Sequence, residues 1–128
     1  MHETDMTRAL IVTVKDWMEA QSQPIRITHV HLIVGQFTCV EPVSLQFSYY
    51  HQTIGTFLEG SQLVIQEVPL VAFCHPCQQT YLPQIGSRYA CPSCGSAMED
   101  IRSGRELKID RIEYQPNQPL EVIYASNF

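Results

Sequence analysis

The residues best equipped for chemistry in this chain are four cysteines in two Cys-x-x-Cys pairs, Cys74/Cys77 and Cys91/Cys94, with thirteen residues between the pairs. That spacing lets the backbone turn back and aim four thiolates at one ion. Zinc suits such a tetrahedral sulfur set best, because a d10 ion has no geometric preference opposing it. An iron-sulfur centre and a single rubredoxin-like iron are the rival occupants. Pro76, Pro92 and Gly95 favour tight turns that point backbone N–H groups at sulfur. A closed four-sulfur site supports structure and leaves no position at which to activate water. His75, inside the first pair, is read as a knuckle residue, with alternate zinc ligation or pH sensing as the sharper option.

The chain also begins Met1-His2-Glu3. A free α-amine, the His2 amide nitrogen and imidazole Nδ1 can close two adjacent chelate rings, and that planar nitrogen set suits Ni2+ or Cu2+ better than zinc. Glu3 can add its amide nitrogen, or a carboxylate that orients the imidazole. On composition alone, a frayed end is the plainer reading. His29 and His31, two apart, form a second candidate metal pair. With no Asp, Glu or Cys in the local sequence, satisfied or solvated strand histidines are preferred. No Ser-His-Asp pattern, phosphate-cradling glycine loop or His-Glu-x-x-His stretch is present, so the chain is not read as an enzyme.

The elements that must position these groups follow from periodicity. Residues 4–20 space Met6, Ala9, Leu10, Thr13, Val14 and Trp17 as one helical face, with Thr4 or Asp5 as cap and only Met1, His2 and Glu3 ahead of it. Residues 25–34 alternate as a strand, with Val30, Leu32 and Val34 on one face and Ile27, His29, His31 and Ile33 on the other. Glu41-Pro42 opens a second helix to about residue 53, with Val43, Phe47, Tyr50 and Ile54 recurring at helical spacing. Strands follow at 63–68 and 106–114, on either side of the cysteine segment. The expected fold class is α/β: a small mixed sheet of three strands, or four, with two helices on one face and an inserted zinc-ribbon-like lobe built on the four cysteines. Residues 1–70 form the first domain, completed by 104–116. The zinc-binding domain is 71–103, its two feet lie close together, and 117–128 is a C-terminal tail or edge strand.

At 128 residues and 45% hydrophobic content the chain can bury a modest core. Its net charge of −5 falls by a further two units, approximately, once four thiolates hold one Zn2+. This argues against nonspecific nucleic-acid binding, which needs a positive surface. No signal-peptide pattern and no apolar run of transmembrane length are evident, so a cytoplasmic protein without membrane insertion is expected. There, paired cysteines more often hold metal than form disulfides. Cys39, the odd one, is expected as a small buried apolar side chain.

Taken together, MHE at 1–3, HVHLIVGQFTCVEP at 29–42, LVIQEVP at 63–69, the two cysteine knuckles and SGRELKIDRIE at 103–113 resemble the HypA/HybF family of hydrogenase nickel-insertion proteins. The resemblance implies a cytoplasmic metallochaperone that delivers Ni2+ during maturation of [NiFe] hydrogenase. Nickel is then held by His2 with Met1 and Glu3, and structural zinc by Cys74, Cys77, Cys91 and Cys94. It also implies a partner GTPase and the hydrogenase large subunit, with urease maturation proteins for some members, and it allows a homodimer. Glu41 falls where some relatives carry an acidic residue near the nickel. The tail after Tyr114 is longer than in many members. The competing reading is a zinc-ribbon interaction adaptor with no nickel role, for which His2 has no task.

Overall fold

The computed structural model describes residues 2–22 and 25–116, apart from the side chains of His2 and Pro116. Two helices, α1 (His2–Glu19) and α2 (Pro42–Thr53), accompany six strands: β1 (Ile25–Gly35), β2 (Gln62–Val68), β3 (Val71–Cys74), β4 (Gln79–Tyr81), β5 (Asp100–Ser103) and β6 (Leu107–Pro116). They form two three-stranded sheets, ordered β2-β1-β6 and β4-β3-β5. The last long strand therefore returns beside the first, as the element order predicts. The choice between tail and edge strand for 117–128 lies outside the described residues.

The chain divides into two compact units: Met1–Leu32 with Glu41–Ile65 and Ile109–Phe128, and Ile33–Val40 with Gln66–Lys108. In the first, α1 and α2 pack on each other, and the core gathers Leu10, Val14, Ile27, Val30, Leu32, Leu45, Tyr49, Leu58 and Leu63. Buried polar groups are satisfied locally. The Thr7 hydroxyl donates to the Glu3 carbonyl at 2.7 Å, that of Thr53 to the Tyr49 carbonyl at 2.8 Å, and the Tyr49 and Ser61 hydroxyls pair at 2.6 Å.

Four local expectations change. Helix α1 starts at His2, so Thr4 and Asp5 lie inside its first turn. Glu3 and Asp5 there offset the positive helix end, and the Thr7–Glu3 bond closes the turn. On α2 the buried face is Leu45, Tyr49 and Thr53, whereas Val43, Phe47, Tyr50 and Ile54 are exposed. Both sets repeat at helical spacing, and only tertiary packing chooses between them. In β1, Ile27 is buried along with Val30, Leu32 and Val34; burial changes phase between residues 27 and 30, which strict alternation cannot do without a local irregularity. Cys39 is exposed at φ 62°, closing a 3-10 turn over Gln36–Thr38.

In the second unit, β3 pairs antiparallel with both neighbours, Cys74 opposite Gln79 and Val71 opposite Ser103. The two feet of the cysteine excursion thus adjoin. The Ser103 hydroxyl donates to the Pro69 carbonyl at 2.8 Å, the Leu70 N–H to Gln36 Oε1 at 2.9 Å, and the Phe37 N–H to the Gly104 carbonyl at 2.8 Å. Gly104 has φ 114°, and its missing side chain admits Leu70. A Cβ on Gly104 would sit 2.6 Å from Leu70 Cα, and one on Gly35 would overlap the Gly104 carbonyl group. Glu106 closes the turn by accepting the Gly104 N–H at 2.8 Å. Those amide donors, its own N–H foremost and then that of Gly104, hold its carboxyl below the usual range. The Ser-Gly-Arg-Glu stretch is therefore a set of backbone clamps.

Candidate metal centres

The four cysteines come from three places: Cys74 from the end of β3, Cys77 from the turn that follows, and Cys91 and Cys94 from the turn ahead of β5. Both knuckles end in the same backbone device. The residue after the second cysteine is left-handed in each, Gln78 at φ 55° and Gly95 at φ 78°, which folds the chain under the sulfurs. The Gln78 N–H closes its turn on the His75 carbonyl at 3.2 Å, and the Gly95 N–H on the Cys91 carbonyl at 2.8 Å.

All four sulfurs lie within 4.8 Å of one another, with Cys74 to Cys94 at 3.5 Å and Cys77 to Cys91 at 3.9 Å. A zinc tetrahedron with bonds of about 2.3 Å has sulfur–sulfur edges of about 3.8 Å, so the donor set fits. Cys74 and Cys91 are buried and Cys94 is exposed.

The thiols also show why a dication belongs there. Hydrogen bonding from the Ser96 hydroxyl, 3.1 Å from the Cys94 sulfur, brings Cys94 down to about 6. The Cys77 thiol is pushed up to about 12, first by its hydrogen bond with Cys94 and then by that with Cys74. Four crowded sulfurs cannot all ionise on their own; a divalent cation removes the conflict. His75 stands outside the sulfur cluster. Its Nε2 faces Asp100 Oδ2 at 2.8 Å and its ring meets Phe73 edge-on, while Arg102 pairs with the same carboxylate and lies 4.3 Å over the Phe73 ring.

At the amino terminus, Met1 lies outside the described residues, so the structure places only His2 and Glu3, in the first turn of α1. The Glu3 carboxylate reaches the Glu41 N–H at 3.5 Å, and the Gln52 amide donates to the Thr4 carbonyl at 3.2 Å, so α2 steadies this turn. Glu41 is the N-cap of α2, its Oε1 accepting the Ser44 N–H at 2.8 Å. The sequence-predicted residues therefore gather as two groups: the four cysteines, and His2–Glu3 with Glu41 nearby.

A third arrangement was not legible locally. β6 brings Glu113 beside His29 and His31, with His31 Nε2 2.6 Å from Oε2 and His29 Nδ1 3.6 Å from Oε1. The carboxylate is 82 residues from His31, so only strand pairing reveals it.

Comparison with known proteins agrees with this architecture. The family model described as "Hydrogenase/urease nickel incorporation, metallochaperone, hypA" matches residues 1–114. A hydrogenase maturation factor HypA from Synechococcus sp. (strain JA-2-3B'a(2-13)) is 70% identical over 113 residues, spanning 88% of this chain and 86% of that protein. A guanidine hydrolase-activating protein A from Synechocystis sp. is 63% identical over 119 residues, spanning 93% and 99% respectively. The solution structure of the Ni metallochaperone HypA from Helicobacter pylori shares the fold, with a TM-score of 0.61 at 16% identity, covering 90% of this chain and 98% of that one. Among the described residues, no helix is long and apolar enough to cross a membrane.

Proposed function

Because the chain belongs to the hydrogenase/urease nickel-incorporation metallochaperone family, HypA, we propose that it binds Ni2+ at its amino terminus and delivers it during maturation of [NiFe] hydrogenase. Met1 supplies the α-amine, His2 its amide and imidazole nitrogens, and Glu3 its amide nitrogen. Cys74, Cys77, Cys91 and Cys94 hold a structural zinc, within a zinc-binding domain at 71–103 inserted into the nickel-binding domain of 1–70 and 104–116. The observation that carries this reading is a family match over residues 1–114, Met-His-Glu included, joined to a helix that starts at His2.

A helix start suits amide coordination for two reasons. The first N–H groups of a helix have no intrahelical acceptor, so ionising them breaks no ladder bond. The positive helix end stabilises an anionic amide nitrogen, although it repels the cation itself. Glu3 and Asp5 in the first turn offset that repulsion. The Glu3 carboxylate is turned to Glu41, which leaves its amide as the donor. Such a terminal site accepts incoming ligands before the old ones leave, and nickel passes by ligand exchange with no substrate turned over. The protein acts in the cytoplasm with a GTPase of the maturation pathway and the hydrogenase large subunit.

A second recipient has its own support. One relative, 63% identical across 99% of its length, is named as a guanidine hydrolase activator, so guanidine hydrolase is an alternative client of the same nickel-bearing terminus.

The test is Ni2+ titration of untagged protein against His2→Ala and a form extended ahead of Met1. One equivalent lost in both variants is expected; equal stoichiometry and affinity in all three removes the site and favours a zinc-ribbon adaptor. Co-expression with [NiFe] hydrogenase or with guanidine hydrolase, reading the nickel content and activity of each, then identifies the client.

A further inference from the structure

We propose that His29, His31 and Glu113 form a second, open site for a late first-row divalent cation on the sheet, independent of the amino terminus and of the four cysteines. Residues two apart on a strand project from the same face. The two imidazoles are stacked with centroids 6.1 Å apart and planes 27° off parallel. They lie on the face of β1 opposite buried Val30, Leu32 and Val34.

Glu113 arrives from β6, which runs antiparallel to β1: Thr28 Oγ1 donates to the Glu113 carbonyl at 3.2 Å, and the Gly35 N–H to the Glu106 carbonyl at 2.6 Å. The strand pairing fixes the carboxylate between the rings, one oxygen towards each. Two neutral imidazoles and a carboxylate make a nitrogen-rich, borderline-soft donor set, which binds Cu2+ most tightly and Ni2+ and Zn2+ less so. Three protein ligands leave coordination positions for water or an incoming donor. The cation held there is exchangeable, unlike one enclosed by four thiolates.

Closing the site requires movement in one ring. A shared ion with bonds of about 2.1 Å needs donor atoms within about 4.2 Å of one another. His29 has the room to turn: its side chain is 36% exposed against 14% for His31, and besides its approach to Glu113 its Nδ1 pairs, among the described residues, with Thr28 Oγ1 at 3.0 Å. The Arg111 guanidinium lies 3.7 Å from Glu113 Oε2, is 61% exposed and also pairs with Asp110 at 3.4 Å, so it can stay with Asp110 when a cation binds. The bland alternative is a histidine–carboxylate clip that ties β6 to β1 and takes no metal.

The experiment uses full-length protein with zinc at the cysteines, extended ahead of Met1 and carrying His2→Ala, titrated with Cu2+ and then Ni2+. One further equivalent is expected, with its d–d absorption showing nitrogen ligation. Either His29→Ala or His31→Ala should weaken binding about 10–100-fold, and Glu113→Gln, which preserves shape, about tenfold. Far-UV circular dichroism and zinc content certify that each variant folds. No equivalent beyond zinc, or an affinity unchanged in the double variant His29→Ala/His31→Ala, overturns the proposal. The same double variant with a native amino terminus separates the two readings, since it should retain the equivalent bound at His2.

Discussion

Replacing Gly104 by alanine is expected to destabilise the four-cysteine unit by about 4 kcal/mol, from two separable causes. A backbone angle of 114° forced on an L residue costs about 1–3 kcal/mol. The new methyl would also stand 2.6 Å from Leu70 Cα, where the obstacle is backbone, and overpacking of that kind adds about 1–3 kcal/mol. Two other glycines isolate the components. Gly55 has φ 78° and open space around its missing Cβ, so Gly55→Ala carries the strain alone, about 1–2 kcal/mol. Gly35 lacks positive φ but abuts the Gly104 backbone, so Gly35→Ala carries the clash alone, about 3 kcal/mol.

The assay is urea unfolding followed by zinc release to a chromophoric indicator, with Trp17, the one tryptophan, reporting separately on the helical unit. At a slope of about 2 kcal/mol per molar urea, the Gly104→Ala midpoint for zinc release falls by about 2 M. Gly35→Ala follows closely, while Gly55→Ala moves mainly the Trp17 transition. A Gly104→Ala midpoint within about 0.5 M of wild type, or one matched by Gly55→Ala, would refute the view that these glycines exist to let backbones meet.

Leu45→Ala should cost about 2–5 kcal/mol, because Leu45 is 1% exposed, and Phe47→Ala about 0.5 kcal/mol or less, because Phe47 is 66% exposed; thermal melts of the pair reverse in order if the expected helical stripe is the true core. The His31 imidazole, hydrogen-bonded to Glu113, holds that carboxyl below its ordinary 4.5. The stability this contributes is complete above pH 4.5 and is lost as pH falls through the depressed folded value, so the gap in urea midpoint between wild type and Glu113→Gln should close in acid. Zinc binding should release protons and weaken as pH falls, with Cys94, at about 6, ionising ahead of the other three; calorimetry in buffers of different ionisation enthalpy counts the protons, and a count of zero would refute thiolate ligation. Chelating the zinc should abolish the order of β3–β5 while leaving the Trp17 signal in place, because so small a lobe cannot fold on its own buried surface.

Much of the fold was readable because its signals are local. Pro42 after Glu41 marks a helix entry by backbone chemistry alone, and the structure caps α2 at Glu41. The long strands β1 and β2 announce themselves by β-branched runs, and β6 more weakly by Ile109, Ile112 and Tyr114. The short β4 and β5, three and four residues long, carry too little periodicity to be seen. The faces were harder. α2 has two apolar stripes, and its intrinsic pattern cannot say which will be buried.

The sites divide in the same way. Two Cys-x-x-Cys pairs state a donor type and a reach, and Met-His-Glu offers a set of chelating atoms, because these depend on atoms a few bonds apart. By itself the sequence therefore determined the sulfur donors and the family. Only the tertiary structure decided that α1 begins at His2, that Gly35, Leu70 and Gly104 close the base of the cysteine excursion, and that Glu113 lies between His29 and His31. The first turn of α1 is steadied by Glu41 and Gln52, and the other two are contacts between residues distant in sequence, set by strand pairing or by the packing of one backbone on another, which no short-range pattern encodes.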